Sequence, residues 1–66
     1  MANFSKTKRE LIESISHWGN EIGLISEDIA TANNNEDLAT WSTNIITFCE
    51  HVINDAQLLQ EQMKEE

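Results

Sequence analysis

Proline is absent from this 66-residue chain, cysteine occurs once and glycine twice. A second absence is more telling. From Glu10 to Met63 there is no lysine and no arginine, although ten acidic residues fall in that span. The four cations, Lys6, Lys8, Arg9 and Lys64, all sit near the ends. Each absence excludes something. Without proline, long helices can run unbroken. With Cys49 alone, no internal disulfide can form, which suits a reducing compartment. No run of 18 apolar residues exists to span a membrane, and residues 1–15 lack the apolar stretch of a secretory signal. The net charge of −8 repels nucleic acid and anionic lipid, arguing against direct nucleic-acid binding and membrane binding. A cytoplasmic protein is expected.

What is present is a helical pattern. Phe4, Leu11, Ile15, Trp18, Ile22, Ile25, Ile29 and Ala32 alternate three and four residues apart, interrupted only by Lys8. This is a heptad stripe. Its phase survives Gly19 and Gly23, so one continuous helix is expected despite a propensity cost of about 1 kcal/mol per glycine. Thr7 and Glu10 have capping-box spacing, and a helix start at Ser5 or Thr7 follows. Asn33, Asn34 and Asn35 then break the pattern. Asparagine caps helices and tolerates left-handed conformations, and Glu36 and Asp37 place negative charge where a second helix would begin. The apolar face of that helix is Leu38, Trp41, Ile45, Ile46, Phe48, Cys49, Val52, Ile53, Ala56, Leu59 and Met63.

The expected fold is therefore all-α: a single antiparallel helical hairpin with helices over about 5–32 and 36–64, each roughly 42 Å long at 1.5 Å per residue. A lone hairpin leaves part of both apolar faces wet. Dimerisation into a four-helix bundle is the simplest remedy, with Trp18, Ile22, Ile25, Trp41, Ile45, Phe48 and Val52 as the expected oligomer interface. In such a hairpin, positions whose numbers sum to about 69 lie level, given the helix rise.

Catalytic constellations do not emerge, and no cofactor motif is present. Cys49 lies on the apolar face, where a thiol is unactivated. Glu13 with His17 and His51 with Asp55 are i,i+4 pairs at one height, but their helical phase turns both histidines away from the apolar stripes. Two solvated pairs are expected there instead of a metal site. Lys6, Lys8 and Arg9 could form an anion site, or pair across the hairpin with the acidic tail. The small residues Gly19, Gly23, Ser26 and Ala30 form a ridge suited to close helix approach.

Charge distribution supplies the functional expectation. Glu10, Glu13, Glu21, Glu27 and Asp28 gather on the outer side of the first helix, with Leu24 as an apolar anchor among them. Residues 38–49 carry no charge at all. The leading expectation is a small acidic, non-enzymatic regulatory or inhibitory protein of the phage or mobile-element accessory kind. It would bind another protein through this strip and occlude a basic or nucleic-acid-binding surface. An assembly subunit docking through the uncharged segment 38–49 is the alternative, since interface cores are depleted in charge. The expected architecture also resembles the plasmid copy-number Rop type: short chain, two helices, antiparallel dimer. That resemblance, topological and without a shared motif, implies an RNA-binding dimer. An oligomeric sponge for a small anionic ligand, built on Lys6, Lys8 and Arg9, is a further alternative.

Overall fold

Two helices run antiparallel along almost the whole chain in the computed structural model, which describes residues 6–65. Phe4 and Ser5 lie outside the described residues. Helix α1 spans Lys8–Thr31 and α2 spans Asn35–Glu65. The molecule is a rod of 50 × 15 × 15 Å, a length consistent with a 31-residue helix rising about 1.5 Å per residue. As the unbroken heptad phase predicts, α1 passes through Gly19 and Gly23 without interruption.

Local chemistry sets the boundaries. Thr7 caps α1: Glu10 N–H donates to Thr7 Oγ1 at 3.2 Å, and Thr7 N–H donates to Glu10 Oε1 at 3.0 Å. The expected capping box is thus complete. The hydrogen bond from the Thr7 backbone holds the Glu10 carboxyl below its ordinary value of 4.5, and the Thr7 hydroxyl adds to this. A lowered folded-state value means the stabilisation is full above the unfolded value. It is lost as pH falls from there through the lower folded value. Thr7→Ala is expected to cost about 0.5–2 kcal/mol, measured by thermal melts. The native chain's advantage over Glu10→Gln should fade across that acid window.

At the other end of α1, Ala32 is extended (φ −65°, ψ 138°) and its N–H donates to the Ile29 carbonyl at 3.3 Å. Asn34 then caps α2, its Oδ1 accepting from Asp37 N–H at 2.8 Å and its Nδ2 donating to Asp37 Oδ2 at 3.3 Å. The asparagine run works as a cap. No residue with positive φ occurs among the described residues, so the left-handed option is not used.

The seam between the helices is narrow. Leu11 is fully buried and Ile25 is 4% exposed; these are the buried apolar side chains among the described residues. Ile15, Trp18, Ile22 and Ile29 flank them, half-buried. In α2 the seam runs through Leu38, Trp41, Ile45, Phe48, Val52, Asp55, Leu59 and Gln62, which are half-buried or buried and alternate three and four apart throughout; Asn44, Cys49, Ala56 and Leu58 beside it are half-buried as well. This corrects the expected α2 face in both directions. Ile46 and Ile53 are exposed (60% and 55%), as is Met63, while Asp55 and Gln62 occupy the seam. Trp18, Ile22, Ile25, Trp41, Ile45, Phe48 and Val52, expected at an oligomer interface, all lie in the seam of a single hairpin.

Candidate functional site: the acidic flank

A helix turns about 100° per residue, so the residues beside a seam divide into two flanks. In an antiparallel pair the corresponding flanks of the two helices fall on the same side of the rod. One side collects Glu10, Ser14, His17, Glu21 and Asp28 from α1. It faces Asp37, Asn44, His51, Asp55 and Gln62 from α2. This is the acidic flank.

Cross-helix contacts establish its register. Ser14 Oγ donates to a carboxylate oxygen of Asp55 in a short hydrogen bond, and the other oxygen accepts from Lys6 Nζ at 3.4 Å. The Trp18 ring stacks on His51, with centroids 4.6 Å apart and planes at 15°, and meets Phe48 at 4.8 Å. Positions 14 and 55, and 18 and 51, sum to 69, as the height rule requires. One step further toward the open end, Gln62 Nε2 donates to the Lys6 carbonyl at 2.7 Å.

Several expectations change here. His51 and Asp55 are not a solvated pair. Asp55 is 3% exposed, because its carboxylate exchanges water for Ser14 and Lys6. Nor do the histidines diverge: His17 meets Trp18 edge-on at 5.0 Å, so both imidazoles border the same indole. No group of three or more His, Cys, Asp or Glu side chains is placed to hold a metal among the described residues, and no pocket forms there.

His51→Ala removes the stacked face of Trp18. A loss of about 0.5–1.5 kcal/mol is expected, with a change in Trp18 emission that leaves the Trp41 component in place. His17→Ala should alter the emission less, since its contact joins sequence neighbours on one helix.

The basic cluster is largely engaged. Lys6 is tied to Asp55, and Arg9 Nε donates to Glu13 Oε1 at 3.3 Å within α1. Lys64 pairs with Glu61 at 4.0 Å within α2. Among the described residues, the cross-hairpin ion pair made by Lys6 goes to Asp55, inside the seam.

Of the acidic strip, Glu10 is occupied by the cap and Glu13 by Arg9. Glu21 and Asp28 are half-buried along the acidic flank, Leu24 (56% exposed) shares the phase of Glu10 and His17 on its outer edge, and Glu27 faces outward on the back of α1. The six residues thus wrap from the flank round to the back of one helix. In the uncharged segment, Thr43 and Thr47 donate their hydroxyls to the carbonyls of Ala39 and Thr43, at 3.0 and 3.1 Å. Cys49 is a free, half-buried thiol. No helix of the described residues is long and apolar enough to cross a membrane. No family model, curated protein or solved structure matches the chain.

Proposed function

We propose that this chain is a non-enzymatic regulatory protein that acts as a homo-oligomer, a dimer of hairpins. It occludes a basic surface on a protein partner, one that would otherwise bind an anion or nucleic acid. The observation that carries this reading is the distribution of charge on the folded rod. Glu21, Glu27 and Asp28 lie along the flank and back of α1, near the exposed Leu24 side chain, with no cation between Glu10 and Met63 to compensate them. Such a strip steers and orients a basic partner, and a single apolar anchor adds contact where the surfaces meet.

Capture from extract of the native host, followed by titration of the retained protein, tests the reading. Binding should weaken steeply between low and high salt. Glu27→Lys and Leu24→Ala should weaken it while leaving the thermal melt nearly unchanged, because both positions are exposed. Salt-insensitive binding, or binding indifferent to both substitutions, would sink the proposal.

A second reading is supported by the threonine hydroxyls of segment 38–49. With Thr43 and Thr47 bonded to their own backbone, these two exposed side chains offer a methyl group and a satisfied hydroxyl to a partner. An assembly subunit docking through that surface would bind its partner with little salt dependence and would lose binding with Thr43→Lys.

A further inference from the structure

The side of the rod opposite the acidic flank is uncharged over most of its length. From α1 it takes Ile12, Gly19, Gly23, Ser26 and Ala30, and from α2 Ile46, Cys49, Ile53 and Ala56. Ile12, Ile46 and Ile53 are 50%, 60% and 55% exposed. A Cβ built at Gly19 or Gly23 would meet nothing within 4 Å. The small ridge therefore has no role in packing α1 against α2, and the space beside it is open. Among the described residues, no acidic side chain falls on this face by helical phase.

The size of the face suits a dimer. One side of the rod, 50 × 15 Å, is close in area to the roughly 800 Å² that each partner buries in a standard interface. The area, the neutral face and the open glycines together name one occupant, a second copy.

We propose that two hairpins stack through this neutral face, with their loops at opposite ends. The inference rests on the dimeric reading above and specifies its face and orientation. Charge chooses the orientation. The loop end carries Glu27, Asp28, Glu36 and Asp37 with no cation, while all four cations lie at the open end. Stacking loop on loop would set two uncompensated acidic ends together; reversing one copy sets each of them over an open end whose four cations offset four of its six acidic charges. In the reversed arrangement α1 meets its own symmetry mate near Gly19 and Gly23, where small residues let the backbones approach. Helix α2 meets its mate around Cys49, between Ile46 and Ile53. The acidic flank of each copy faces outward.

Sedimentation of the native chain, with no partner present, should give about twice the 7.5 kDa of one copy. A short bis-maleimide should join Cys49 to Cys49 in high yield, and oxidation with diamide should join them as a disulfide. In a Cys49→Ser background, Gly19→Cys should crosslink and Leu24→Cys should not. Gly19→Leu improves helix propensity but fills the approach, so it should raise the dimer dissociation constant about 100-fold or more while the chain stays helical. A monomer at all concentrations would overturn the inference. So would a dimer that crosslinks through Leu24→Cys, or one whose Cys49 thiols fail to crosslink. None of these outcomes bears on the acidic flank, whose partner binding is read separately by its salt dependence.

Discussion

Replacing Leu11 with alanine is expected to leave most of the chain unfolded at 25 °C. Leu11 is the fully buried large side chain of the described residues, at 0% exposure, and Leu→Ala at such sites costs about 2–5 kcal/mol. A protein of this length has a total stability of roughly 3–10 kcal/mol, and a hairpin whose described residues bury only Leu11 and Ile25 as apolar side chains belongs at the low end. In a broad core, neighbours relax into the space. A two-helix seam offers only the facing helix and water, so the cost should fall in the upper part of the range. The effect is read as the loss of the 222 nm helix signal (a standard far-ultraviolet measure) at concentrations where the native chain is folded. Leu24→Ala is the control. Leu24 is similarly apolar but 56% exposed, and its replacement should change stability by no more than about 0.5 kcal/mol. Equal effects at the two positions would mean that the seam is not where the structure puts it.

The second large effect concerns Asp55. Asp55→Ala leaves the half-buried Ser14 hydroxyl without its acceptor and releases Lys6, at an expected cost of about 2–4 kcal/mol. For a chain this size that lowers the melting temperature by about 10–20 °C. Asp55→Leu should behave differently. The position continues the three-four alternation of Phe48, Val52 and Leu59, so an apolar side chain of similar volume suits the seam. Desolvating a carboxylate is costly enough that apolar replacements of buried ionic groups are often neutral or stabilising. Asp55→Leu should therefore melt well above Asp55→Ala, and Asp55→Leu combined with Ser14→Ala, which removes the orphaned hydroxyl as well, should melt at or above the native chain. Proton exchange at the start of α1 should speed up in both variants, because the tie through Lys6 is gone in each. If Asp55→Leu proved as unstable as Asp55→Ala, the carboxylate would be contributing net stability and not only register.

How far the fold could be read in advance differs between the helices. In α1 the seam residues are apolar at nearly every step, so their spacing identified the helix, its continuity through two glycines and its buried face. The capping box was readable for the same reason: it depends on a spacing of three residues within one segment. In α2 the seam passes through Asp55 and Gln62, which an apolar count rejects, while Ile46 and Ile53 beside it satisfy the count and stay wet. The candidate site was less legible still. The acidic strip could be drawn on one helix, but Glu10 and Glu13 prove to be occupied by Thr7 and Arg9. His17 and His51, expected to diverge as solvated side chains, both border the Trp18 ring.

The division follows from the range of the interactions. Helix content, caps and the approximate height of facing residues depend on neighbours within a turn and on a three-residue connection, so they belong to the amino-acid order. Which polar groups can be buried depends on partners more than forty positions away, as Ser14 is from Asp55 and Lys6 from Gln62. Only the packed hairpin brings those partners within hydrogen-bonding distance. By admitting Asp55 and Gln62 to the seam, that packing also decides that Ile46 and Ile53 are left outside it. The long stretch without a cation thereby acquires two sides, one acidic and one neutral.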